Sequence, residues 1–384
     1  MLNADLMSAQ DSAAIRGALV KIKVFGIGGG GNSVLRRLED TTFEGTDLIA
    51  VNTDSGVLDF MGSKNVKALQ IGGNLTKGHG TGGNVSLGEQ AAKNDAERIK
   101  NMMTGADMVF ITAGMGGGTG TGAAPIVAKM AKELGLLTVG VVTLPFSFEG
   151  KPKQRKAAEG VVKMQSYMDA LIVVKNDNLM KLPENRALTI VDAFRAADSV
   201  LIQAIKCIAE LILTTGIVNV DFADVTTIFK QSASSDALLG IGRSTVSAVK
   251  AVQQAIESPL IDRSLEGARG IILNITGDEN LSLHDVNEAA DFIFKQTAED
   301  VNLIFGVVTD NTLNGAVQAT IIATNFSDSL AMKSPTVEAP RSAATVSRGF
   351  NLDVPQFRAR NERKTNVIPA FSLFNSRNND DDNK

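Results

Sequence analysis

Cysteine and histidine are nearly absent from this sequence. Its 384 residues include one cysteine, Cys207, and two histidines, His79 and His284. A lone cysteine has no partner for a disulfide, and the two histidines match no metal-ligand spacing. Because Cys207 lies within an apolar helical pattern, we expect a buried thiol in a reducing compartment and no zinc site.

Long apolar runs and a strong charge imbalance are absent too. No run reaches the roughly 18 apolar residues that span a bilayer, and the N-terminus lacks the apolar segment of a secretory signal. The net charge is only −4, so nothing indicates bulk nucleic-acid binding. We expect a cytoplasmic protein without direct membrane insertion, long enough for two packed domains and a tail.

The most informative stretch is Gly116 to Gly122, in which five residues are glycine and the other two, Thr119 and Thr121, carry hydroxyl donors. It follows a predicted buried strand, 107–112, and precedes a helical pattern with Pro125 in the first turn. The N–H groups of such a stretch, at the positive end of a helix, bind anionic oxygens. The alternative is a flexible turn, but the flanking strand and helix favour a phosphate site.

A second glycine-rich segment, Gly28 to Asn32, follows the predicted strand Lys21–Ile27. Together with Gly26 it satisfies G-x-G-x-x-G, and Asp54 follows the next strand. This pattern is typical of dinucleotide-binding oxidoreductases, which are the alternative functional class. Asn32 is either a helix N-cap or an amide near a sugar or base.

A third glycine-rich segment, 78–84, follows a short strand at 67–71 and precedes a helix predicted over 86–103. Strands apolar on both faces recur at 137–143 and 170–174, as in parallel strands covered by helices on both sides. The alternation predicts an α/β fold with a doubly wound, mostly parallel sheet. All three glycine segments then leave from the carboxyl ends of strands, and together they suit a triphosphate.

A long apolar helix is predicted from Thr189 to Leu213, about 37 Å in length and able to connect two domains. Phe194 and Asp198 are four residues apart and share a face near its start. They could supply a stacking surface and a hydrogen-bond acceptor for a base. The alternative is a core phenylalanine and a solvated acid.

Three polar residues follow this helix: Asn219, Asp221 and Asp224. Asp221 can cap a helix that begins at Phe222, and Asp224 then lies where a carboxylate complements the helix dipole. Capping is a complete structural explanation for both acids. The functional alternative is a cluster that orients a water and a Mg²⁺ ion for phosphate hydrolysis.

The remaining pattern predicts a smaller α+β domain, a flexible linker and a tail. In the tail, Leu352–Arg360 places apolar residues beside basic ones, as in a peptide that folds on a partner; a solvated tail is the alternative. The predicted boundaries are an extension (1–20), the α/β domain that carries the glycine-rich segments (21–188), the central helix (189–216), the α+β domain (217–326), the linker (327–350) and the tail (351–384).

Two of these motifs, together with residues 145–150, resemble the FtsZ family of tubulin-like GTPases. Gly116–Gly122 has the form GGGTGTG of the family's signature, residues 219–225 read NVDFADV and resemble its synergy loop, and residues 145–150 read PFSFEG and fit its ribose-contacting segment. The similarity runs from Lys21 to Phe326 and resumes at Leu352.

The resemblance implies a tubulin-like fold and a GTPase that polymerises head to tail in bacterial cell division, with GTP or GDP bound and Mg²⁺ as cofactor. Asn219, Asp221 and Asp224 of one subunit would complete the site of the next. The tail would bind division proteins or membrane tethers at the mid-cell division site.

The resemblance also implies the nucleotide-binding residues. Glu149 would lie near the ribose, and Asn32, Asn176, Phe194 and Asp198 would surround the guanine. The implied set is Gly28, Gly29, Gly30, Gly31, Asn32, Gly116, Gly117, Gly118, Thr119, Gly120, Thr121, Gly122, Glu149, Lys153, Asn176, Phe194 and Asp198.

Several residues depart from the family's pattern. Lys153 stands where an arginine near the phosphates is common, and an ammonium is a point charge rather than a planar fork. The third glycine segment carries His79, Thr81 and Gly83 in place of small or apolar residues and an alanine. These differences leave the γ-phosphate contacts of this segment an open question for this chain.

Overall fold

The computed structural model describes residues 20–39, 45–61, 65–182, 188–213, 220–231, 234–261, 265, 267–297 and 301–326. The predicted linker and tail, and Asn219, lie outside these residues. The strands are β1 (Ile22–Ile27), β2 (Thr46–Asn52), β3 (Val66–Gln70), β4 (Met108–Gly114), β5 (Leu137–Leu144), β6 (Ala170–Lys175), β7 (Asp236–Ser244), β8 (Ala268–Gly277), β9 (Asn302–Thr309) and β10 (Val317–Phe326).

These strands form one sheet in the order β3-β2-β1-β4-β5-β6-β7-β10-β8-β9. Strands β1 to β6 are all parallel to their neighbours, as predicted for a doubly wound sheet. Strand β10 then runs antiparallel to β7 and β8, and β8 pairs in parallel with β9. The predicted fold class is confirmed: a mostly parallel part is followed by a smaller mixed part.

Helices cover both faces of this sheet. In the described part of the chain they are α1 (Gly28–Leu38), α2 (Ser55–Asp59), α3 (Gly73–Thr76), α4 (Val85–Asn94), α5 (Ala96–Met103), α6 (Thr119–Glu133), α7 (Lys151–Gln165), α8 (Asn176–Leu179), α9 (Ile190–Leu213), α10 (Phe222–Lys230), α11 (Ala248–Ile256) and α12 (Leu283–Phe294), with short 3-10 turns at Ser147–Glu149 and Asn311–Leu313.

Helix α9 is the predicted central helix, and it connects the two parts of the sheet. Its buried residues Leu201 and Ile205 share one hydrophobic core with Val139 of β5 and with Ile322 of β10. This helix therefore packs against both parts. Separate cores lie under α4 to α7 on the opposite face of β1 to β6, and under α11 and α12.

Two details differ from the sequence prediction. The helix predicted over 86–103 is divided at Asp95, whose carboxylate accepts a hydrogen bond from the N–H of Gly72 at 2.7 Å. Strand β7 has no recognisable strand pattern because it contains two glycines. A Cβ atom at Gly242 would collide with the carbonyl oxygen of Ala251 on α11, so this close strand–helix packing requires a glycine.

The core around α9 also sets a stability prediction. Phe229 of α10 is 1% exposed and packs in that core, so we expect Phe229→Ala to lower the free energy of unfolding by about 3–5 kcal/mol. Phe60 is 84% exposed, and Phe60→Ala, the matched control, should change it by no more than about 0.5 kcal/mol. Urea denaturation without nucleotide measures both. Equal losses in the two variants would contradict this account of the core.

Candidate functional site

The first two glycine segments flank the point where the strand order reverses. Gly28–Asn32 follows β1, and Gly116–Gly122 follows β4, the strand beside it. Ligands of open parallel sheets bind in the crevice at such a switch point. The helices begin inside these segments, α1 at Gly28 and α6 at Thr119. Pro125 consequently lies inside α6, so its predicted place in the first turn is wrong.

Most of these glycines permit close packing between backbones. Gly28 has φ +71°, and a Cβ there would lie 2.8 Å from the amide nitrogen of Gly120. A Cβ at Gly118 would collide with the hydroxyl oxygen of Thr81 in the third segment. In contrast, a Cβ added at Gly29 or Gly117 would have no atom of the described residues within 4 Å, so these two backbones border open space.

A cavity of about 170 Å³, which we call the rim cavity, opens at these carboxyl ends. It brings together residues from five separate segments of the chain. Among the predicted nucleotide-binding residues, those that line it are Gly30, Gly117, Glu149, Lys153, Asn176, Phe194 and Asp198.

Asn176 supplies an unpaired acceptor to this cavity. It begins α8 directly after β6 and is 4% exposed. Its side-chain oxygen is buried and has no hydrogen-bond partner among the described residues. A buried acceptor without a partner is costly, so this atom is suited to a ligand that donates a hydrogen bond.

Phe194 lines the cavity and belongs to a cluster of three aromatic rings. Phe146 stacks on Phe148 with ring centroids 5.1 Å apart, and it meets Phe194 edge to face at 5.3 Å. Phe194 is 40% exposed, so part of its ring is free to contact a planar ligand. The interpretation of Phe194 as a core residue is therefore wrong.

Asp198 is largely buried, contrary to the interpretation of it as a solvated acid. The hydroxyl of Ser33 donates to its Oδ2 at 2.8 Å, and Nε of Arg37 lies 3.4 Å from the same oxygen. Burial raises the pKa of Asp198, and the Ser33 hydrogen bond and the charge of Arg37 offset this only in part. Ser33 and Arg37 thus fix the orientation of this carboxylate.

Glu149 and Lys153 lie on the turn and helix that follow β5. The carboxylate of Glu149 accepts from the N–H of Phe146 at 2.9 Å and from Nζ of Lys153 at 3.1 Å. The turn itself is anchored to α8, since both the N–H and the hydroxyl of Ser147 donate to the Asp177 carboxylate. Lys153 is half exposed, so its ammonium can reach toward a ligand.

Asn32 is not among the residues that line the rim cavity. It is the fifth residue of α1, so its interpretation as an N-cap is wrong. Its side chain donates to the carbonyl of Gly26 at 2.7 Å and accepts from Asn52 at 2.7 Å. A contact between Asn32 and guanine stays a prediction.

The hydroxyls of the two signature threonines are engaged within the protein. Thr121 accepts from the N–H of Gly116 at 2.8 Å, and Thr119 lies 2.7 Å from the hydroxyl of Thr53. Sequence reasoning missed Asn52 and Thr53. Their position at the carboxyl end of β2, the strand beside β1, places them at the ligand-binding edge of the sheet, but their bonds to Asn32 and Thr119 are visible only in the structure.

Asp221 and Asp224 do not line the rim cavity. Both are exposed on α10, which packs against β8, β9 and β10. Asp221 is the N-cap and accepts from the N–H of Ala223 at 3.3 Å, so the predicted capping role is present. Across the described residues, no group of three or more His, Cys, Asp or Glu side chains is placed to hold a metal ion.

The fold and the rim cavity define an α/β nucleotide-binding protein, and comparison with known proteins specifies the family. Residues 21–184 match the GTPase domain of the Tubulin/FtsZ family, and residues 235–327 match the C-terminal domain of the FtsZ family. A solved FtsZ dimer from M. jannaschii, described as empty, is 39% identical over 83% of this chain and 92% of its own, with a TM-score of 0.76.

A second FtsZ structure from M. jannaschii, that of a point mutant, is also 39% identical, with a TM-score of 0.77, and covers 83% of this chain and 96% of its own. CetZ2 from Haloferax volcanii, solved as a GTPγS-bound protofilament, shares the fold at 21% identity and a TM-score of 0.65, over 80% of this chain and 94% of its own. The chain belongs to the FtsZ family and is a GTPase. The oxidoreductase alternative is wrong, although β1 to β6 have the strand order of dinucleotide-binding folds. None of the helices in the described ranges has the length and apolar character to cross a membrane.

The burial of Asp198 predicts a pH dependence of stability. Since folding raises its pKa, Asp198 favours the folded state most below its ordinary value of 3.8, and this contribution is lost as the pH rises through the raised pKa. The free energy of unfolding of the wild type, minus that of Asp198→Asn, should therefore fall as the pH rises above about 4. Urea denaturation of both proteins without nucleotide measures this difference. A difference that grows with pH would contradict the assignment.

Proposed function

We propose that this protein binds GTP in the rim cavity and hydrolyses it in head-to-tail filaments that serve cell division at mid-cell. The observation that carries the proposal is the composition of the cavity. Glycines predicted to bind phosphate and side chains predicted to bind the base line it together, while the predicted hydrolytic acids Asp221 and Asp224 lie elsewhere.

Two acceptors suit guanine as the base. The unpaired oxygen of Asn176 and the carboxylate of Asp198 both belong to residues that line the cavity. The Watson–Crick edge of guanine presents N–H donors at N1 and at the 2-amino group, whereas adenine has an acceptor at N1. The ring of Phe194 provides a surface for the base to stack on. The site therefore selects guanine by pairing its donors with buried acceptors.

The phosphates then extend along the carboxyl ends of β4 and β1. The first turns of α1 and α6 point their N–H groups and the positive ends of their dipoles toward this space. The open backbones of Gly29 and Gly117 allow the closest approach. Lys153 adds a positive charge on the cavity wall.

Both acids that line the rim cavity in the described part of the chain already bind other groups of the same subunit. Glu149 is held by Phe146 and Lys153, and Asp198 is held by Ser33 and Arg37. A water that attacks the terminal phosphate needs a group that orients or activates it. We assign that role to Asp221 and Asp224, with Asn219, of the adjacent subunit. The dimer and protofilament formed by the similar proteins support such contacts.

Mg²⁺ belongs to the proposal as a partner of the phosphates. Proteins often hold Mg²⁺ through one or two carboxylates and the substrate phosphates rather than in a dedicated cage. The ion would neutralise negative charge on the phosphates during hydrolysis. The tail peptide Leu352–Arg360 is proposed to tether filaments to division proteins or membrane-bound partners.

Asp224→Asn tests the hydrolytic assignment. GTP affinity should stay within about twofold of wild type because Asp224 does not line the cavity, while turnover in assembled protein should fall about 10²–10⁴-fold. Phosphate release and equilibrium GTP binding measure the two quantities. Glu97→Gln, which changes an exposed first-turn acid on α5, is the matched control and should leave both unchanged.

A mixing experiment tests whether the acid acts on the neighbouring subunit. Asp224→Asn retains the cavity, and Asp198→Ala retains the acids of α10, so each variant alone should be nearly inactive. An equimolar mixture should recover turnover, because an Asp198→Ala subunit presents its acids to an intact cavity. No recovery, in a mixture shown by light scattering to co-assemble, would contradict action between subunits.

A further inference from the structure

Three threonine hydroxyls meet beneath the glycine segments. The hydroxyl oxygen of Thr119 lies 2.7 Å from that of Thr53 and 3.4 Å from that of Thr81. All three side chains are buried, with exposures of 0% for Thr53, 8% for Thr119 and 9% for Thr81. Because each hydroxyl can donate once and accept, Thr119 can bond to both neighbours at once.

This hydroxyl chain continues into the first glycine segment. Asn52 accepts from the N–H of Thr53 at 2.9 Å and donates to Asn32 at 2.7 Å, and Asn32 donates to the carbonyl of Gly26 at 2.7 Å. Buried hydrogen bonds in a low-dielectric setting strengthen one another. One polar network therefore joins all three glycine-rich segments.

The third segment depends on such ties more than the other two. Its glycines Gly78, Gly80, Gly82 and Gly83 all have positive φ, and glycine restricts the backbone conformation less than any other residue. Ser55 holds the start of the segment, because its N–H and its hydroxyl donate to the carbonyl of Gly78 at 3.1 and 3.3 Å. Two further side chains attach the rest of the segment to its neighbours. Thr81 meets Thr119 of α6, and Nζ of Lys156 on α7 donates to the carbonyl of Gly83 at 2.7 Å.

The sheet order indicates which part of the nucleotide this segment would meet. The base-binding residues follow β6 and lie on α9, and the phosphate-binding glycines follow β4 and β1. The third segment enters from β3, at the opposite end of the parallel part, and returns to contact Gly118. If a nucleotide binds along this rim with its base near α9 and its phosphates near β4 and β1, its terminal phosphate lies nearest the third segment.

We propose that Thr81 and Lys156 are positioning residues that hold the third glycine segment in its phosphate-ready conformation before the nucleotide binds. The proposal rests on the GTP site proposed above. Without the hydrogen bonds of Thr81 and Lys156, the segment must become ordered when GTP binds. The entropic cost of this ordering lowers the affinity for GTP. GDP lacks the terminal phosphate, so its affinity does not depend on this segment.

Thr81→Val, which replaces the hydroxyl with a methyl group of similar size, separates these two nucleotides. We expect the affinity for GTPγS to fall about three- to tenfold, while the affinity for GDP stays within about twofold of wild type. Thr81→Ser keeps the hydroxyl and should restore wild-type affinity for both. Lys156→Met removes the second tie and should reproduce the selective loss. Competition against a fluorescent GDP analogue, below the assembly concentration, measures all of these values.

Thr112→Val is the matched control. Thr112 is also fully buried, and its hydroxyl has no partner among the residues that the structure describes, so both affinities should stay unchanged. Equal loss of GTPγS and GDP binding in Thr81→Val would indicate a general structural role and overturn the proposal. Unchanged GTPγS binding in both Thr81→Val and Lys156→Met would also overturn it. Failure of the wild type to bind GTPγS or GDP would instead refute the GTP site.

Discussion

The close approach of three glycine-rich backbones at one end of the sheet is the constraint on which the site depends. Gly28 meets Gly120, and Gly118 meets Thr81, at distances that exclude any side chain. This packing sets the first turns of α1 and α6 side by side at the point where the strand order reverses. Two helix N-termini and open backbone then face the same space, which suits a chain of phosphates. Most of these glycines are thus needed so that the backbones can pack closely. Gly29 and Gly117 are needed so that a ligand can approach the backbone.

The residues proposed to bind GTP and those proposed to hydrolyse it lie in different parts of the subunit. The carboxylates in the rim cavity, Glu149 and Asp198, are held by hydrogen bonds and cations of their own subunit. Asp221 and Asp224 are exposed on α10, a helix that packs on the opposite part of the sheet from β1 to β4. Under the proposed function, a subunit with this arrangement would bind GTP when alone and hydrolyse it slowly. Under the same proposed function, coupling of turnover to assembly would follow from where the acids lie.

The sequence was informative wherever the local pattern and the tertiary structure agree. Strands such as β4 and β5 are apolar on both faces because helices cover them, and α9 is apolar nearly all round because it contacts both parts of the sheet. Strand β7 could not be predicted, because Gly242 makes room for α11 and leaves no strand-forming side chain. In the site, Phe194 and Asp198 were identified from helical spacing. The roles of Asn52 and Thr53 depend on a network between distant segments that no local pattern contains.

The central claim is that one subunit supplies only half of the hydrolytic site. The most direct measurement is the rate of phosphate release from GTP as a function of protein concentration. The account predicts negligible turnover up to a threshold concentration, and above it a steep rise that accompanies filament formation. Turnover strictly proportional to protein concentration from the lowest concentrations would contradict it, because each subunit would then hydrolyse GTP unaided.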